Sequence, residues 1–224
     1  MPRLLLVLLC APLLAAAQAP ETLFNLVTLS AQAEREVPND LLSATLAAEA
    51  EGAEPAQLAD GVNRTMQRAL ATALTYKSVK AQSGGYQTFP VYDKNRVVRW
   101  RVRQELRLES ADFSAATELI GKLQASLVVT GLTVSVSNEA RRRAENALIP
   151  EALASFDERA RVVRDAMKAK GYRMRDLQLS AGGGAPPRPM MAMARMSEMS
   201  PAPPAVEPGS TRILVTVSGT IQLQ

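Results

Sequence analysis

The sequence predicts an α+β fold: a largely antiparallel sheet with about three helices packed on it, and a mobile Pro/Met-rich loop before the last strand. Two patterns carry this reading. Several segments alternate apolar and polar residues, as in Leu42, Ala44, Leu46 and Ala48, which is how a strand presents one face to a core. Other segments repeat apolar residues every three or four positions, as amphipathic helices do.

Residues 22–52 alternate, turn at Pro38-Asn39-Asp40 and alternate again, which predicts a long hairpin. Pro55 suits the first turn of a helix, and Leu58, Val62, Met66, Ala69, Leu70 and Ala73 supply its apolar stripe. Two extended segments follow, with a turn around Asp93-Lys94-Asn95. In the second, RVVRWRVRQELRLES, Arg99, Arg101, Arg103, Glu105, Arg107 and Glu109 share one face; Val98, Trp100, Val102, Leu106 and Leu108 share the other. The expectation is a solvated charged face above a buried one that includes Trp100. Single-stranded nucleic-acid readers interleave exposed aromatics with their basic residues, and this strand sends its tryptophan to the opposite side.

Ser110 or Asp112 can cap a helix bearing Phe113, Ala116, Leu119, Ile120 and Leu123, and GLTVSVS reads as a short strand. The longest helical pattern runs from Asn138 to Lys170 through Ala144, Leu148, Ala152, Phe156, Ala160, Val163 and Met167. Pro150 is expected to kink or restart that helix, and Gly171 to end it. Arg141-Arg142-Arg143 lies in its first turn, where the helix dipole disfavours cations, so an acidic group is expected nearby. YRMRDLQLSAGG is the next strand. The proline, glycine and methionine of residues 183–210 predict a flexible insert, and TRILVTVSGTIQLQ closes the sheet.

Residues 1–17 read as a signal peptide: Arg3, then an apolar run of secretory length, with a small-residue cleavage site at Ala15-x-Ala17. Pro12 interrupts the run before the roughly 20 apolar residues a membrane span needs. Leu9 before Cys10 argues against lipid attachment there. Cleavage removes the single cysteine and leaves a domain over 18–224 with neither cysteine nor histidine, so disulfides, thiolate nucleophiles, imidazole bases and the common zinc sites are excluded together. Loss of Arg3 lowers the formal charge from +4 to +3, too little for long-range attraction to nucleic acid despite a sequence pI near 9.5.

Four stretches in order resemble one family. QSGGYQTFPVYDKNRVVRWRVRQELRLESADFSAATELIGKLQ is similar to its middle strands and helix, SNEARRRAENALIPEALASFDERARVVRDAMKAKGY to its alanine-rich helix, and YRMRDLQLSAGG and VEPGSTRILVTVSGTIQLQ to its last two strands. The family is that of the SIMPL-domain proteins. The resemblance implies an exported, periplasmic bacterial protein linked to envelope integrity and oxidative-stress defence, with no agreed catalytic residues to carry over. Pro150 and Phe156 depart from the pattern of its long helix.

The candidate metal ligands are Met193, Met196 and Met199, with Met190 and Met191 beside them, because thioethers are soft ligands that suit Cu(I). Exposed methionines also oxidise reversibly, which makes oxidant scavenging a second chemistry for the same sulfurs. Tyr86, Phe89, Tyr92 and Trp100 are expected as ordinary core aromatics; alternatively Tyr86, Phe89 and Tyr92, with Arg99, Arg101 and Arg103, form a candidate interaction surface. No carboxylate pair, serine elbow, Walker loop or dinucleotide fingerprint occurs. The functional expectation is a non-catalytic protein without cofactor, acting as a homo-oligomer or envelope component, with no nucleic-acid partner and no transmembrane segment after cleavage. An enzyme of unidentified activity is the remaining alternative.

Overall fold

The structure is a computed structural model, and it describes residues 24–183 and 207–224. The elements run β1 (Leu26–Pro38), β2 (Leu41–Gly52), α1 (Pro55–Ala73), β3 (Lys80–Asp93), β4 (Arg96–Ser110), α2 (Phe113–Leu123), β5 (Val128–Ser135), α3 (Asn138–Ala166), β6 (Tyr172–Gly183) and β7 (Ser210–Leu223). The α+β class and the three helices are as the sequence predicts. The strands, however, form two antiparallel sheets: β1-β7-β6 and β3-β4-β2-β5.

Each sheet has its own core. Leu42, Leu46, Val102, Leu106 and Leu108 of the four-stranded sheet pack with Val62, Met66 and Ala69 of α1 and Leu119 and Ile120 of α2. Ile213, Val215, Val217 and Ile221 of the three-stranded sheet pack with Leu148, Ala152, Phe156 and Ala160 of α3. The expected hairpin at Pro38-Asn39-Asp40 therefore does not form. β1 pairs with β7, almost the whole chain away, while β2 is sandwiched between β4 and β5. Alternation says which side chains share a face but not which strand lies alongside.

Asn39 and Asp40 are where the chain passes from one sheet to the other. The Asn39 backbone N–H donates to the Gly209 carbonyl (3.1 Å) and its side-chain amide to the Pro208 carbonyl (2.6 Å), while its side-chain oxygen accepts from the Thr211 hydroxyl (2.6 Å). Gly209 has φ +61°, a left-handed conformation that suits a residue without Cβ. One residue later the partners change: the Asp40 N–H donates to the Ser135 carbonyl at the end of β5 (3.1 Å), and its carboxylate accepts from the backbone N–H (2.6 Å) and hydroxyl (2.8 Å) of Ser137, where the chain returns to α3. Ser137 is itself the N-cap of α3, accepting from the Ala140 N–H. Asp40 thus supplies the acidic group expected near the arginines of the first turn, alongside Glu139, which pairs with Arg143 at 2.5 Å.

Burial works to raise the Asp40 pKa, but the Ser137 N–H and hydroxyl outweigh it, with Arg143 assisting, and the carboxyl is held below its ordinary value. A lowered folded-state pKa adds stability that is present above the unfolded value and lost as pH falls through the folded one. Asp40→Ala is expected to cost about 1–2 kcal/mol at neutral pH, from two lost hydrogen bonds and a loosened cap. Urea denaturation of both proteins as a function of pH should show the difference shrinking below about pH 4.

Two local expectations for α3 change. Pro150 lies inside one uninterrupted helix, at an exposed position, so water can satisfy the carbonyl that its ring leaves without a donor. The helix ends at Ala166, and its left-handed stop is Lys168, not Gly171. Lys168 takes a left-handed φ of 54°, its N–H bonds to the Asp165 carbonyl (3.1 Å), and the Ala169 N–H bonds to the Arg164 carbonyl (3.0 Å), the pair of bonds of a Schellman cap. Met167, expected on the buried stripe, is exposed.

Candidate interaction surface

Helices α1 and α2 cover one face of the four-stranded sheet, and among the described residues no element covers the other. β4 lies between β3 and β2, with Arg101 opposite both Phe89 and Glu51, and Arg103 opposite Gln87 and Glu49. Directly opposed residues share a face, so Arg99, Arg101, Arg103, Glu105, Arg107 and Glu109 line the open side with Glu49 and Glu51. Arg99 reaches Glu51 at 3.2 Å; Arg101 reaches Glu49 at 3.2 Å and Glu51 at 3.0 Å; Arg103 reaches Glu105 at 3.3 Å. The hydrogen bond and charge of Glu51, with the charge of Glu49, push the Arg101 pKa up. A phosphate ligand would have to displace these carboxylates from the guanidinium forks it needs. The solvated charged face expected from the sequence is thus present, and the β2 glutamates neutralise much of it. Glu49 and Glu51 were not singled out by sequence reading, although their alternation with Ala48 and Ala50 marks them as the wet face of β2.

The aromatic residues are not core residues. Tyr86, Phe89 and Tyr92 are exposed, Tyr92 to 63%, and Trp100 is half-buried. They are also divided between faces. Phe89 lies opposite Arg101 on the open side, whereas Tyr86 lies opposite Gln104, and Pro90 opposite Trp100, on the helix side. Tyr86 and Phe89 are exposed on the edge strand β3, while Trp100 marks the end of the β2 ladder, opposite Gly52. Beyond it β3 and β4 continue as a two-stranded arm, so Val97 and Val98 are exposed as well. The arm closes in a two-residue turn in which Lys94 (φ 43°) and Asn95 (φ 68°) are both left-handed, the type I′ geometry that matches strand twist. Strand pairing therefore brings Phe89, Arg99, Arg101 and Arg103 together on one surface and leaves Tyr86 off it.

Met193, Met196 and Met199, with Met190 and Met191, lie outside the described residues, as does the leader 1–17. Among the described residues no group of three or more His, Cys, Asp or Glu side chains converges as a metal site, and no helix is long and apolar enough to cross a membrane. An open groove of about 490 Å³ runs between β1 and α3, lined by Leu29, Gln32, Ser155, Glu158, Arg159, Val162 and Val163. Its one basic group, Arg159, is engaged by the Ser30 carbonyl at the edge of β1.

Two antiparallel sheets, each backed by its own helix layer and joined at Asn39-Asp40, with a charged open face and a protruding hairpin arm, define an α+β module whose surfaces outweigh its cavities. The chain belongs to the SIMPL family, described as a protein of unknown function (DUF541), whose model matches residues 27–221. No curated protein matches. Among solved structures, one described as an amidohydrolase/peptidase from Burkholderia cenocepacia aligns at 11% identity and a TM-score of 0.28, over 48% of this chain and 29% of that one.

Proposed function

We propose that this SIMPL protein is exported to the periplasm and acts there without catalysis, protecting or organising the cell envelope, including under oxidative stress. Membership of the family over residues 27–221 is the observation that carries the reading. The leader-like residues 1–17 support export, and the absence of histidine and cysteine from 18–224 supports a non-catalytic role. The paired arginines with Phe89, and the hairpin arm bearing Tyr92, offer contact area for a protein component of the envelope. The test has two parts. Full-length protein made in a Gram-negative host is expected in the periplasmic fraction with Gln18 as its first residue, and a strain lacking the gene is expected to be peroxide-sensitive until the full-length gene is restored. Cytoplasmic protein retaining Met1, or a deletion strain as resistant as the parent, would overturn it.

The Met-x-x-Met-x-x-Met spacing at 193, 196 and 199 favours a second reading, Cu(I) binding or oxidant scavenging by these thioethers. Titration of Cu(I) against a competing chelator separates the readings. Tight binding that disappears in the Met193→Leu/Met196→Leu/Met199→Leu protein supports copper. Equal, negligible binding by both proteins removes it.

A further inference from the structure

Among the described residues the two sheets present four edge strands, and three of them are blunted. β1 has the Arg159 guanidinium on the Ser30 carbonyl and ends at Pro38. β3 carries Pro90 and two register shifts. β5 is only eight residues long and is itself irregular against β2. These are the devices by which proteins discourage edge-to-edge pairing. β6 differs. Its single irregularity lies between Met174 and Asp176, and from Leu177 to Gly183 it has no charge, no proline and no bulge.

This stretch is also apolar on one side. Leu177 and Leu179 lie opposite Gly219 and Val217, on the face that α3 covers over β1 and β7. The helix reaches only the start of β6, where the Tyr172 hydroxyl donates to Asp157, so Leu177 and Leu179 remain 42% and 44% exposed. A regular, uncharged edge with an exposed leucine stripe fits a strand of the same kind, and β6 is itself such a strand.

We propose that β6 is a self-association edge, pairing antiparallel with β6 of a second copy about a two-fold axis at Leu179 to make one continuous six-stranded sheet. In this register Leu179 meets Leu179 of the partner subunit on the helix side, and Leu177 meets the partner's Ala181. Gln178 meets the partner's Ser180 on the open side. Charge selects the orientation. The charged residues of β6, Arg173, Arg175 and Asp176, all lie at its beginning. Antiparallel pairing sets Asp176 against the partner's Gly182 and Arg175 against the partner's Gly183, and carries Arg173 past the partner's strand, whereas parallel pairing would set like charges abreast. Nine paired residues, 175–183, make an edge about 31 Å long and about 10 Å deep. Even with the leucines of both copies, the buried area falls below that of standard specific interfaces, so the dimer is weak and reversible, with a Kd on the order of tens of micromolar.

The experiment uses the full chain with Cys10→Ser, so that introduced cysteines are the only thiols. In sedimentation velocity from about 1 to 200 µM this protein is expected to pass from monomer to dimer. Leu177→Lys/Leu179→Lys, both at exposed positions, should raise the Kd at least tenfold without changing the melting curve. Under mild oxidation Gln178→Cys/Ser180→Cys should form a covalent dimer, because opposed Cβ atoms of neighbouring strands lie within about 5 Å. Ser30→Cys/Gln32→Cys on the guarded β1 edge should not. A monomer across the whole range overturns the proposal. So does a dimer indifferent to the lysines, or equal cross-linking at both edges. Dimerisation that appears only after deletion of residues 184–206 also overturns it, since this chain's own segment would then hold the edge.

Discussion

Phe156→Ala is expected to destabilise the protein by about 3–5 kcal/mol, the usual cost of emptying a phenylalanine site in a packed core. Phe156 is 1% exposed and sits in the middle of the α3 stripe, with Leu148 and Ala152 before it and Ala160 after it. Its other neighbours in that core are the inward residues of β7. Alanines at 144, 152 and 160 let the helix lie close to the sheet, so few large side chains are available to collapse into the space left. Because the two cores are separate clusters, the loss should be local. Hydrogen exchange of the variant should show protection falling in α3, β1, β6 and β7 while β2, β4 and α1 keep theirs. Uniform loss across both cores would show that the two sheets unfold as one cooperative unit.

Gly219→Ala is expected to cost about 3 kcal/mol, at the upper end of overpacking effects. A Cβ at this position would stand 2.5 Å from the Asp176 carbonyl oxygen and 3.3 Å from a Leu177 methyl. The bulge after Met174 brings the β6 backbone over β7 at this point, and only glycine leaves room for it. β7 is the central strand, hydrogen-bonded on both sides, so it cannot move away from β6 without loosening β1. Gly61→Ala is the control. Nothing lies within 4 Å of a Cβ there, and the residue is inside α1, so alanine should stabilise by about 1 kcal/mol. Thermal denaturation of the two variants should move in opposite directions.

The helices and the inward faces of the strands were legible in the sequence because they depend on periodicity, which is local. Asp112 caps α2 as its position before Phe113 suggests, accepting from the Ala115 N–H at 3.0 Å. Trp100 shows where periodicity stops being sufficient. It has the parity of a core residue, yet it lies where the β2 ladder ends and is only half-buried. The same limit applies to Tyr86 and Phe89, exposed because β3 is an edge strand, and to Tyr92, which lies beyond the end of the β2 ladder.

The sequence by itself determined the α+β class, the family, the helix stripes and the strand faces, because side-chain direction repeats along the backbone at 3.6 or 2 residues whatever the chain later meets. Tertiary structure alone decided that the strands form two sheets, that Asn39 and Asp40 join them, that Glu49 and Glu51 neutralise the arginines, and that β6 is left as the unguarded edge. Each of these depends on which strand lies beside which. Strand pairing is made by backbone groups that every residue carries, so the partner is chosen by how whole faces pack and not by the letters of the strand itself.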